Sequence, residues 1–222
     1  MNHNILYSFR RCPYAIRARW ALLNTNQVVE LREVELKNKP FELIEISKKA
    51  TVPVLKTNLN QVIDESIDIM IWSIKKANMY ELFGEDDNQS QEIFSLIKTN
   101  DNIFKYHLDR FKYASRFNYQ ELEDHRNAGM EVLISLNNRL QKFSKKGKPL
   151  FLVNAKESLA DWAIWPFIRQ FRIADINSFD QSNEIKFLRS WLDYFLTHEK
   201  YSMVMKKNKP WTKGSEKLIY GD

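Results

Sequence analysis

The chain has 222 residues, 44% hydrophobic and 28% charged, which suits one large globular domain or two small ones and excludes disorder over most of its length. Its 34 basic and 28 acidic residues leave a net charge of +6, modest for a nucleic-acid binder, and no apolar stretch approaches the roughly 18 residues of a membrane span. A single cysteine excludes a disulfide framework and any multi-cysteine zinc site, and points to a reducing compartment, the cytoplasm. Met1 to Phe9 is too short and too mixed for a secretory signal. Neither GxGxxG nor GxxxxGKS/T occurs. The basic runs Lys145, Lys146, Lys148 and Lys206, Lys207, Lys209 carry no interleaved stacking aromatics, so they read as solvated loops and helix ends. The four histidines, His3, His107, His125 and His198, show no metal-ligand spacing, and no metal is expected.

In chain order, residues 4–8 read as a short strand and Pro13 to Asn24 as a helix with Ile16, Trp20 and Leu23 on one face. Residues 28–36 alternate as a strand. Pro40 to Ser47 reads as a short helix with Pro40 in its first turn. Residues 53–63 suggest a hairpin turning near Asn58 to Asn60, and a helix follows from Ser66 through Ile67, Met70, Ile71 and Ile74. The order β-α-β-α-β-β-α predicts a thioredoxin-like α/β domain over residues 1–80. The polar stretch 84–90 marks a linker, placed at 81–90, and residues 91–222 read as an all-α domain. Its helices are expected over 90–112, 119–144, 158–172 and 184–197. In the third of these, Ser158 and Asp161 form a capping box, and Pro166 is expected to bend or interrupt the helix.

The sharpest chemical feature is Cys12-Pro13-Tyr14-Ala15 at a strand-to-helix turn. A thiol there meets the positive end of the helix dipole and unsatisfied backbone N–H groups, with Arg10 and Arg11 nearby. Each effect lowers a thiol pKa and raises the thiolate fraction at neutral pH. The alternative is a buried structural cysteine, a common fate of an isolated one. Ala15 stands where a redox CxxC has its second thiol, so a mixed disulfide at Cys12 needs an outside thiol to resolve it.

Two further features are weaker alone. In Thr51-Val52-Pro53-Val54-Leu55, a cis Val52–Pro53 bond would turn the Val52 backbone toward Cys12, where an extended peptide could pair with it. Most X-Pro bonds are trans, and a plain strand-opening proline is the simpler account. Asp64-Glu65-Ser66 opens a helix: it offers backbone donors to a carboxylate and Glu65 to an ammonium, or is an ordinary N-cap.

These blocks, from Leu6-Tyr-Ser-Phe-Arg-Arg-Cys-Pro-Tyr-Ala-Ile-Arg-Ala-Arg through Leu36-Lys-Asn-Lys-Pro, Thr51-Val-Pro-Val-Leu and Asp64-Glu-Ser, resemble the cysteine-type, Omega-like branch of the glutathione S-transferase superfamily. The resemblance covers the first domain specifically and the helical domain loosely. It implies a thioredoxin-like domain followed by an all-helical one, in a homodimer that binds glutathione and an unidentified small-molecule or glutathionylated substrate. By position, Cys12 would face the glutathione sulfur. Val52 would pair with the cysteinyl backbone, with Pro53 cis. Glu65 and Ser66 would hold the γ-glutamyl end, and Lys39 would approach the glycine carboxylate. Tyr7 and Ser8, which other classes use, read here as a strand and a loop residue. A co-substrate pocket lined by the first helices of the second domain is implied, with Phe104, His107 and Phe111 as candidates at helical spacing, although core packing suits the aromatics better and a lone helix histidine is more often simply half-exposed. One departure is Ser47-Lys48-Lys49-Ala50, where relatives commonly carry Pro and Gly.

The function implied is glutathione-dependent thiol transfer or reduction through a Cys12–glutathione mixed disulfide. Conjugation of glutathione to apolar electrophiles is a second reading, disfavoured because a reactive Cys12 would itself be consumed. A non-catalytic adaptor of the same fold is a third. Neither a nucleic acid nor a membrane is expected as a partner.

Overall fold

The structure, a computed structural model, describes residues 3–144 and 150–221, so the run Lys145, Lys146, Lys148 lies outside the described residues. The chain divides into two compact units, Met1–Tyr80 with Glu199–Asp222, and Glu81–His198. The last 24 residues, Glu199–Asp222, therefore group with the first unit, where the sequence assigned them to the helical domain.

The first unit is built on strands β1 (Asn4–Ser8), β2 (Val29–Glu33), β3 (Val54–Lys56), β4 (Val62–Ile63) and β5 (Ile219–Tyr220), in the sheet order β4-β3-β1-β2-β5. β1 and β2 run parallel, which requires a crossover, and helix α1 (Pro13–Asn24) supplies it. The β3–β4 pair is the expected hairpin. Register puts Leu6 opposite both Leu31 and Leu55, a buried row across three strands. At about 1.5–3 kcal/mol for each buried leucine, that row is a main source of the sheet's stability. On the opposite face, Tyr7, Val34, Leu43 and Val54 form a second cluster with Ile5, Ile46 and Val52 packed on it. Leu43 comes from helix α2 (Phe41–Ile46), and helix α3 (Ser66–Lys76) packs beside α1.

Strand β2 is shorter than the 28–36 expected, because the chain turns at Glu35–Asn38 and leaves Leu36 exposed. Ser8 ends β1 as a buried strand residue rather than standing in a loop. Strand β5 has no counterpart among the strands expected from periodicity. It pairs antiparallel with β2, Leu31 N–H donates to Leu218 O at 2.8 Å, and Trp211 N–H donates to Glu33 O at 2.8 Å. The C-terminal segment thereby covers a sheet edge that would otherwise present open backbone groups.

The second unit is helical, with α4 (Asp87–Thr99), α5 (Lys105–Lys112), α6 (Leu122–Phe143), α7 (Leu159–Ala174), α8 (Ile176–Gln181) and α9 (Lys186–Thr197). Helix α4 starts inside the expected linker, because Asp86 caps it by accepting the Gln89 N–H at 2.8 Å. A π-helical turn, Asn100–Phe104, joins α4 to α5 where one continuous helix was expected. Helix α7 continues through Pro166 without interruption. Gly129 on α6 is a close-approach glycine: an added Cβ would stand 2.6 Å from Cε2 of Phe171 on α7. Among the described residues no helix is long and apolar enough to cross a membrane. The short helix α10 (Tyr201–Val204) belongs to the first unit and packs on α1.

Candidate active site

Cys12 is the N-cap residue of α1, with extended backbone (φ −77°, ψ 122°), and Pro13 opens the helix. Proline suits that position, since the N–H it lacks has no intrahelical partner there. The Cys12 N–H donates to Phe9 O at 3.0 Å and its carbonyl accepts from Ile16 N–H at 2.9 Å. Its thiol is half-buried and donates to Val52 O at 3.7 Å. The Val52–Pro53 bond is cis, and Pro53 leads directly into β3. Cys12 and Val52, 40 residues apart, are thus brought together.

Beneath this turn lies a buried network that the sequence reading missed. Arg19 on α1 is only 2% exposed. Its guanidinium donates to Arg10 O at 2.9 Å, to Val204 O at 3.1 Å and to the Ser8 hydroxyl. The Arg19 carbonyl accepts from the Tyr220 hydroxyl at 3.1 Å. Burial holds the guanidinium below its usual pKa, while Tyr220, Glu33 and Cys12 act on it in the opposite sense. Glu33 accepts the Arg10 N–H at 2.7 Å; burial raises its carboxyl pKa against the Arg10 hydrogen bond and the Arg19 charge. The Phe9–Cys12 loop is therefore gripped from below by a cation and an anion. The sequence places arginines among the apolar residues of α1, and that pattern was the available signal. Arg11, expected to add potential, is exposed and lies over the Phe9 ring.

Ser66 opens α3 with its hydroxyl buried, accepting from Arg17 Nε at 3.0 Å. Glu65 precedes it as the exposed N-cap residue, its carboxylate paired with the Lys49 ammonium. Lys49 also lies 3.9 Å from Asp64, and Ser47 donates to Asp64 at 3.2 Å. Lys39 is half-buried in the loop before α2. Tyr7 is a buried strand residue whose hydroxyl accepts from Arg32 at 2.7 Å, and burial raises its pKa.

The helical candidates lie in the π-helical turn and on α5. Phe104 is fully buried and meets Phe171 at a ring-centroid distance of 5.7 Å; Phe111 meets the same ring at 5.0 Å. Both rings pack in the helical core, the role helical spacing favoured for them, against a Phe171 ring that the close α6–α7 approach at Gly129 admits. His107 is half-buried, with its Nδ1 2.9 Å from the Nδ1 of His125. Burial, then the His125 and Arg110 charges, lower its pKa. Among the described residues, no group of three or more His, Cys, Asp and Glu side chains is arranged to hold a metal.

Residues 6–78 match the family model described as glutathione S-transferase, N-terminal domain. The chain is 24% identical over 178 residues to glutathione S-transferase omega-1 of Rattus norvegicus, covering 78% of this chain and 68% of that protein. Its fold is similar to that of a Tau class glutathione S-transferase from mango, Mangifera indica, with a TM-score of 0.78 at 23% identity over 92% of this chain and 93% of that one. It is also similar to Ure2p in complex with glutathione, with a TM-score of 0.77 at 16% identity over 93% and 94% of the two chains.

Proposed function

We infer the function from one premise: the chain belongs to the glutathione S-transferase superfamily, with an affinity to its Omega-like branch. On that premise it binds glutathione, as one similar structure does, and acts as a glutathione-dependent thiol transferase or reductase. The observation that carries the reading is Cys12 itself: a half-buried thiol at the start of α1, 3.7 Å from the Val52 carbonyl. The helix N-terminus and the Arg19 charge both favour the thiolate there.

The chemistry balances as two thiol–disulfide exchanges. The Cys12 thiolate attacks the glutathione sulfur of a glutathionylated substrate. The Cys12–glutathione disulfide forms, the substrate's S–S bond breaks, and its sulfur leaves as a thiolate that takes a proton. A glutathione thiolate then attacks the mixed disulfide and releases oxidised glutathione and the Cys12 thiolate. The chain's only cysteine cannot resolve the intermediate internally, so the second glutathione is required.

In this reading the Val52 backbone pairs with the cysteinyl part of glutathione. Ser66 and Glu65 hold its γ-glutamyl end, and Lys39 faces the glycine carboxylate. Support for the Ser66 role is its hydroxyl, fixed by Arg17, at a helix start where the N-cap side chain makes no capping hydrogen bond. The co-substrate is a small-molecule or glutathionylated thiol, and the protein works as a cytoplasmic homodimer. The test is reduction of a glutathionylated thiol by reduced glutathione. Cys12→Ala is expected to lose that turnover entirely, whereas undiminished turnover in Cys12→Ala overturns the mechanism.

A further inference from the structure

The departure at Ser47-Lys48-Lys49-Ala50 has a definite geometry. Ala50 adopts a left-handed backbone (φ 47°), and its N–H donates to Ser47 O at 2.9 Å. Ser47 is itself held by Asp64 at 3.2 Å. This turn folds the loop onto the start of α3 and delivers the Lys49 ammonium to the Glu65 carboxylate, 16 residues away in sequence. Asp64, at 3.9 Å from the same ammonium, is a second carboxylate within its reach.

We propose that Lys49 is a built-in competitor for the ligand's ammonium group. It occupies the Glu65 carboxylate that the γ-glutamyl α-ammonium would take, so binding exchanges one cation for another. The inference rests on the reading that glutathione's γ-glutamyl end sits at Glu65 and Ser66. Two ammonium groups on one carboxylate repel each other, so the ligand's arrival releases Lys49 toward Asp64. The loop thereby tunes how tightly this chain holds any ligand bearing a free α-amine, while ligands lacking that amine escape the competition. Both members of the pair are more than half exposed, Lys49 at 54% and Glu65 at 60%, so the competition is weak.

The test is calorimetric titration of wild type, Lys49→Ala and Lys48→Ala with two probes. One is reduced glutathione; the other is glutaryl-cysteinylglycine, the same tripeptide with hydrogen in place of the α-ammonium. Lys49→Ala is expected to tighten glutathione about two- to five-fold and to leave the analogue unchanged. Lys48→Ala, which removes an equal charge from the neighbouring residue, is expected to give no tightening. Unchanged or weaker glutathione binding in Lys49→Ala overturns the competitor role and leaves the glutathione reading intact. Equal tightening of both probes also overturns it, since that result marks a steric or general electrostatic effect. Failure of wild type and both variants to bind glutathione overturns the underlying reading and the inference with it.

Discussion

Each unit buries a charged side chain deeply, and the two charges are handled in opposite ways. In the helical unit, Asp161 is fully buried and only accepts: from the Ser158 N–H at 2.9 Å and hydroxyl at 2.6 Å, from Leu152 N–H at 2.9 Å and from Trp191 Nε1 at 2.8 Å. It ties the start of α7 to the preceding segment and to α9, a joint with no reacting group in it. In the α/β unit, the Arg19 guanidinium only donates, and one of its acceptors is the backbone of the Cys12 loop. The contrast teaches that burial of a charge does not by itself mark a functional residue. What lies on the far side of its hydrogen bonds does.

The largest effect that probes this contrast is on Asp161. Replacement by Ala strands several buried donors, and a loss of about 3–5 kcal/mol in unfolding free energy is expected. Alkylation of Cys12 in the folded variant should be unchanged. Burial pushes the Asp161 carboxyl up to about 6, from 3.8. The folded state then binds the proton more tightly than the unfolded one. The stability this contributes is complete below pH 3.8 and is lost as pH rises to about 6. Urea unfolding across that range should show wild type losing up to about 3 kcal/mol relative to Asp161→Asn, which has no proton to lose there. Parallel curves would mean that its hydrogen bonds offset the burial.

A smaller effect is expected for Arg19→Met. Removing the cation behind the loop should slow alkylation of Cys12 at neutral pH by about three- to ten-fold and move its pH–rate midpoint upward. Arg19→Lys should recover part of the loss, because it keeps the charge but not the forked donors. An Arg19→Met protein with wild-type alkylation kinetics would dissolve the contrast and leave Arg19 a structural tie only. The smallest effect is at Ala50, whose left-handed backbone costs a residue with a Cβ about 1 kcal/mol. Ala50→Gly removes that cost and adds unfolded-state entropy, so its stability should change by less than about 1 kcal/mol by urea midpoint.

The α/β fold was legible because its signals are local. Alternation wrote β2, helical spacing wrote α1 and α3, and Asn58 to Asn60 wrote the hairpin turn. β5 was not legible, since two residues at the end of a long polar segment have no period to read. The four-residue α10 and six-residue α8 escaped for the same reason. In the site, Cys12 stood out because only one residue in the chain carries its chemistry. The Arg19 and Glu33 grip did not, because its partners come from Ser8, Arg10 and Val204, which no sequence spacing links. The Lys49–Glu65 pair was hidden likewise: the sequence marked the loop as unusual, but only the Ala50 backbone sends it onto α3.

Thiol transfer by this chain requires Cys12 to be a reactive thiol that carries glutathione. Intact-mass analysis of the folded protein after exposure to oxidised glutathione, beside Cys12→Ala, tests it most directly. One glutathione adduct is expected on wild type alone, removed by reduced glutathione. No adduct on the folded protein, with the denatured chain reacting readily, would contradict it by showing a shielded and inert thiol.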